Sequence, residues 1–173
     1  NGVTGFLPTT MTVDMKVIRK ALEVCRALKE ESKDWDGSAI LGCHAEGPFI
    51  SESKKGAQDA KYILKPDASF VKEYSDIIKV ITLAPETDTE DFKTIREICA
   101  KTDTVVSMGH TSADYETAMA SINAGVKHTT HLFNAMTPLT HRAPGVVGAA
   151  LNGDVSVELI VDTVHVDPSL YNM

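Results

Sequence analysis

Short apolar runs alternate with segments of helical period along the whole of this chain, and that alternation limits the fold more than any other feature. Strands are expected at Val3–Pro8, Ser38–Cys43, Ile77–Leu83, Thr104–Ser107, Val126–Thr130 and Val155–Val161. Between them the pattern predicts a long helix over Thr12–Ser32, with Val17, Ala21, Val24 and Leu28 on one face. Further helices follow over Thr89–Lys101 and Ser112–Asn123, the latter with Gly125 just beyond its end. Pro66 opens another, with Phe70, Val71 and Tyr74 facing inward, and Pro168 starts a last one. Ser51–Lys65 reads as a polar loop and Asn134–Gly148 as a loop rich in Pro and Gly.

Strict strand–helix alternation implies parallel strands joined by right-handed crossovers. A complete (β/α)8 barrel takes about 250 residues, whereas this chain has 173. The expected fold is therefore α/β, a partial TIM (β/α)8 barrel of about six βα units. Residues 1–173 read as one incomplete barrel domain, an internal piece of a larger protein. The alternative is a complete doubly wound sheet, but no GxGxxG or GxxxxGK[ST] motif follows any strand.

Composition removes several function classes. A formal charge of −7 with no basic stripe argues against a nucleic-acid partner. No apolar run approaches the roughly 20 residues of a membrane span, and no signal-peptide pattern opens the chain. Cys25, Cys43 and Cys99 are widely spaced and form no CxxC pair, which indicates neither a disulfide frame nor a cysteine zinc site. Reduced thiols fit a cytoplasmic protein.

Chemistry gathers at the predicted strand ends. Leu41-Gly42-Cys43-His44-Ala45-Glu46-Gly47-Pro48 carries an apolar run into a histidine and a glutamate two apart, which share a face if the strand continues. His110 follows the strand ending at Ser107, His128 and His131 close the next one, and His165 follows the last, close to Asp162. Carboxyl ends of barrel strands are where binding and catalytic groups collect. One glutamate and two histidines suit zinc and leave a position for water and substrate. Glu46, His110 and His131 are the expected ligands, with His44 and His128 as supporting or packing residues. Arg142, beside His141 in the Pro/Gly-rich loop, is placed to grip a substrate anion.

These stretches carry a resemblance. HAEGPFI followed by KKGAQ, then GHTSADY, THLFNAMTPLTHRAPGVVGAAL and VDTVHVDP resemble the N-acetylglucosamine-6-phosphate deacetylase family of the amidohydrolase superfamily, in order and spacing. The resemblance implies metal-dependent hydrolysis of the acetamide of N-acetylglucosamine 6-phosphate to glucosamine 6-phosphate and acetate. It implies one divalent ion, zinc before iron or another metal, held by Glu46, His110 and His131. It gives substrate contacts to Asn134 and Ala135 at the phosphate, to Arg142 from the neighbouring subunit of a homodimer, and to His165 at the sugar. Gln58 stands where some members carry a substrate-contacting histidine. The family's first barrel strand, its last barrel strand with the catalytic aspartate, and its accessory β-sandwich have no counterpart here. No catalytic acid or base is thus expected within the chain, and Asp162 does not match that aspartate. Two other readings stand beside this one. The first is a related amidohydrolase acting on another N-acetyl amino sugar phosphate or an N-acyl amino acid. The second is an inert piece that only binds metal or sugar phosphate.

Overall fold

The structure, a computed structural model, describes residues 2–172. The chain opens with two short strands, β1 (Gly5–Phe6) and β2 (Thr9–Thr10), followed by helix α1 (Met15–Glu31). Strands β3 (Ala39–Ile40) and β4 (Cys43–Glu46) come next, then helix α2 (Ala68–Glu73) and β5 (Ile78–Leu83). Helix α3 (Thr89–Lys101), β6 (Val105–Met108), α4 (Tyr115–Ala124), β7 (His128–Thr129), α5 (Gly145–Asn152) and β8 (Ser156–Val157) complete it. Six strands form one sheet in the order β2-β4-β5-β6-β7-β8, and β1 pairs with β3 beside it. Every ladder is parallel. This is the partial, barrel-like parallel sheet that the alternation implies.

The helices form where the sequence supplies caps and an apolar stripe. The Asp14 carboxylate accepts the Lys16 backbone N–H at 2.8 Å, and no Gly or Pro interrupts α1. At its far end the buried Ser32 hydroxyl donates to the Lys29 carbonyl and accepts the Ile40 N–H, tying the helix to β3. Asp67 and Asp114 cap α2 and α4 in the same manner. Phe70, Val71 and Tyr74 turn inward as expected. The core behind the sheet is aliphatic, with Ile77, Ile78, Ile81, Leu83, Ile95, Ile98 and Met108 all fully buried.

Several expectations need correction. The face of α1 that packs inward holds Ile18 and Leu22, whereas Val17 and Val24 are 57% and 49% exposed. Two apolar stripes one residue apart run along this helix, and the buried one is flanked by Arg19 and Arg26, which pair with Glu73 and Asp76 beside α2. The Ser38–Cys43 strand divides at Gly42 into β3 and β4, so His44 and Glu46 lie inside a strand rather than beyond it. Gly42 (φ +155°) lets the chain close on β5, since a Cβ there would stand 2.8 Å from the Ile77 carbonyl oxygen. The register of β4 against β5 slips at this point, between Cys43 and His44. The Val3–Pro8 segment pairs only at Gly5–Phe6, and the main sheet begins at Thr9. The last strand is confined to Ser156–Val157, and Pro168 starts a 3-10 turn rather than an α-helix. The last four residues of the expected Pro/Gly loop, 145–148, instead begin helix α5, whose small residues Gly145, Gly148, Ala149 and Ala150 are buried.

Candidate metal centre

Three side chains meet at the carboxyl edge of the sheet. Glu46 is the last residue of β4, His110 stands two residues beyond β6, and His131 two beyond β7. His110 Nε2 lies 3.2 Å from Glu46 Oε1 and 3.1 Å from His131 Nε2, and His131 Nε2 is 3.7 Å from Glu46 Oε2. A tetrahedral ion with bonds of about 2.1 Å places its ligands roughly 3.4 Å apart, so the three donors fit a single zinc-sized ion with one position left open. They are the group among the described residues whose donor atoms could hold an ion together.

The surroundings fix the protons. His110 Nδ1 is 2.8 Å from the Lys54 carbonyl and His131 Nδ1 is 3.1 Å from the Asn134 carbonyl. Each Nδ1 therefore carries the proton and donates, which turns the Nε2 lone pair toward the cluster; this tautomer is assigned from the hydrogen bonds. Two lone pairs facing each other at 3.1 Å repel unless a proton or a cation lies between them. Burial works to raise the Glu46 carboxyl, but without an ion a protonated His110, which then donates from Nε2 as well, and the nearby imidazoles outweigh it and hold it below the usual range. Burial likewise works to lower His110, yet its bonds to Glu46 and the Lys54 carbonyl hold it above the ordinary value. Burial and the neighbouring His110 both lower His131.

Both histidines sit in left-handed backbone, at φ +47° and +37°, a conformation that costs a side-chain-bearing residue about 1–3 kcal/mol. A clamp on the loop after β6 holds the first. The Glu86 carboxylate accepts the Thr111 hydroxyl at 2.5 Å, the Ser112 N–H at 2.6 Å and the Ser112 hydroxyl at 2.9 Å. The His110 carbonyl accepts the Ser51 N–H at 2.9 Å, and the Ala135 carbonyl accepts that of Thr111 at 3.1 Å. Nothing in the sequence around Glu86 separates this carboxylate from an ordinary solvated one.

The other predicted residues are placed unequally. Gln58 joins the cluster. Its amide oxygen accepts the Thr12 N–H at 2.7 Å, and its nitrogen lies 2.8 Å from Glu46 Oε1 and 3.2 Å from His110 Nε2. Asn134 and Ala135 lie in the turn that follows His131, Ala135 at φ +50°. Arg142 lines a cleft of about 320 Å³ with Tyr115, Thr137, Pro138 and Pro144. His165 pairs with Asp162 at 2.6 Å in an exposed segment, where the N–H groups of His165 and Val164 hold the Asp162 carboxyl down at about 2. His44 is buried and bonds to Thr82 Oγ1, while His128 bonds to Ser107. Cys25, Cys43 and Cys99 are free thiols, and burial raises Cys43 well above its usual value.

A model of the Amidohydrolase family matches residues 7–173. The chain belongs to the amidohydrolase family. Among its amidohydrolase relatives is the N-acetylglucosamine-6-phosphate deacetylase of Bacillus subtilis, 42% identical over 174 residues, covering 96% of this chain and 43% of the relative. The enzyme of the same name from Rattus norvegicus is 34% identical, with 98% and 43% covered. Among solved structures, the deacetylase from Pasteurella multocida superposes with a TM-score of 0.84 at 38% identity, covering 96% of this chain and 43% of that one. A mutant of the Mycobacterium smegmatis enzyme, in complex with N-acetyl-D-glucosamine-6-phosphate, gives 0.85 at 32% identity, with 98% and 44% covered. The chain thus spans less than half the length of the amidohydrolases it matches.

Proposed function

We propose that these residues supply the metal-binding and part of the substrate-binding surface of an enzyme that hydrolyses the acetamide of N-acetylglucosamine 6-phosphate to glucosamine 6-phosphate and acetate. The observation that carries this reading is the convergence of Glu46, His110 and His131 with both Nε2 lone pairs and the carboxylate aimed at one point. The names of the relatives and their substrate support it. A divalent ion at that point, zinc by the donor set, polarises an amide carbonyl and lowers the pKa of a water to about 7. Glu46 supplies the negative charge, His110 and His131 the neutral nitrogens, and Gln58 holds Glu46 in place through its amide N–H. Gln58 also stands close enough to the cluster to meet a sugar hydroxyl. The turn at Asn134 and Ala135 receives the phosphate, Arg142 adds a bidentate grip across a homodimer, and His165 meets the sugar. The proton-transferring aspartate that the resemblance implies is assigned to a strand outside these 173 residues. The absence among the described residues of a helix long and apolar enough to cross a membrane is compatible with the cytoplasmic setting we assign.

The deciding experiment measures acetate released by the full-length, zinc-loaded protein. Release from N-acetylglucosamine 6-phosphate, abolished by Glu46→Gln, is expected. Preference for N-acetylgalactosamine 6-phosphate or an N-acyl amino acid would move the assignment to a related amidohydrolase, and no release from any of them would leave a binding role only. Arg142→Lys is expected to impair the phosphorylated substrate far more than N-acetylglucosamine itself, because lysine cannot reproduce a bidentate grip. Equal impairment would remove Arg142 from the phosphate site.

A further inference from the structure

Directly beneath the candidate metal centre, a buried ladder of hydroxyls crosses four strands. His44 Nε2 is 2.6 Å from Thr82 Oγ1, which is 2.6 Å from Thr130 Oγ1. Thr130 Oγ1 is 2.6 Å from Ser107 Oγ, and that oxygen is 3.0 Å from His128 Nδ1. Thr82 and Ser107 have no exposed surface, and Thr130 has 2%. The register accounts for the alignment, since Glu46 pairs with Thr82, Thr82 with Ser107, and Ser107 with His128.

The proton count makes this one object rather than four separate bonds. Three hydroxyls provide three protons for four links, so one imidazole must donate the fourth and the other must accept. Glu158 Oε1 stands 3.7 Å from His128 Nε2 and favours a proton there, which leaves Nδ1 to accept from Ser107. The bonds then run in one direction, from His44 N–H through Thr82, Thr130 and Ser107 to His128. Linked bonds of this kind strengthen one another in a dry interior.

The ladder touches all three segments that carry the cluster. His44 shares its strand face with Glu46, and Thr130 immediately precedes His131. Gly109, which precedes His110, lies so close above the ladder that a Cβ there would stand 2.8 Å from Thr82 Cγ2 and 3.0 Å from Thr130 Cβ. We infer that Thr82, Thr130 and Ser107 are positioning residues, a hydrogen-bonded floor that sets the spacing of Glu46, His110 and His131 and thereby the affinity and geometry of the metal they hold.

This rests on the metal-binding reading above, and its test separates the two. In the full-length protein, zinc affinity is measured by competition with a chromophoric chelator, and ligand geometry by the visible absorption of the cobalt-substituted form. Thr130→Val keeps the shape and deletes two links. It is expected to weaken zinc about tenfold, at the lower end of what loss of ligand support costs, and to shift the cobalt bands. Thr130→Ser restores the hydroxyl and both readouts. Ser107→Ala breaks the ladder on β6, the strand that leads to His110, and is expected to act in the same direction, which covers the case in which Thr130→Val does not fold. Wild-type affinity and cobalt bands in Thr130→Val and Ser107→Ala would overturn the inference, as would weaker zinc with unchanged bands, which a mere loss of stability would give. No zinc or cobalt uptake by the wild type would overturn the metal reading and this one with it.

Discussion

Without an ion, Glu46 carries the electrostatics of the cluster. Its carboxylate holds His110 above the ordinary histidine value, so the folded state binds a proton there more tightly than the unfolded chain does. That contribution is fully present below the unfolded value of about 6.5 and is lost as pH rises through the higher folded value. In metal-free full-length protein, the urea midpoint of wild type minus that of Glu46→Gln should therefore decline as pH rises from about 6.5 into the alkaline range. A difference that stays flat across that range would show that the two groups are not coupled. Glu46→Gln should also weaken zinc more than about 100-fold, beyond what outer partners cost, checked by the same chelator competition. Gln58→Leu should destabilise by about 1–3 kcal/mol in denaturant titrations, because it strands the buried Thr12 N–H and removes the donor to Glu46. The three cluster residues were legible from their place at parallel strand ends, which barrel curvature brings together. The supports from Lys54 and Glu86 were not, because a backbone carbonyl or a loop carboxylate gains such a role only from partners distant in sequence.

Among the elements, α1 shows where periodicity stops deciding. Val17, Ala21, Val24 and Leu28 satisfy the helical spacing as well as Ile18, Leu22 and Cys25 do, so pattern alone cannot orient the helix. Its orientation comes from Arg19 and Arg26, which lie over the Tyr74 ring and pair with acids near α2. Leu22→Ala should then cost about 2–5 kcal/mol, while Val24→Ala stays within about 0.5 kcal/mol, as measured by chemical denaturation. Comparable losses at both sites would mean that the exposed stripe is covered. Helix α5 was hidden for a different reason. Its glycines and valines are poor helix formers, and packing of its small buried residues against α4 overrides that preference. The hydroxyl ladder did leave a trace, since Thr82 and Ser107 are the penultimate residues of their strands and each is a polar residue set between apolar ones.

At the scale of the molecule, the sheet is open. Among the described residues β2 and β8 pair on one side only, and each contributes just two residues to its ladder. Unpaired N–H and C=O groups at such edges recruit other strands, whereas a closed barrel has none. Apolar surface accompanies the β8 edge, with Val157 42%, Val161 63% and Val164 84% exposed. Expressed as these 173 residues alone, the protein should therefore self-associate, its weight-average mass in sedimentation rising from low- to high-micromolar concentration. Val157→Lys places a charge on that edge and should lower the association, since strand pairing across it would bury the ammonium. A longer protein in which further strands cover both edges should be insensitive to the same substitution in its oligomeric state. A fragment that stays monomeric at every concentration would show that the edges are too short to recruit a partner. Association unchanged by Val157→Lys would move the contact to the other edge, where Phe6, Met11 and Leu41 are exposed.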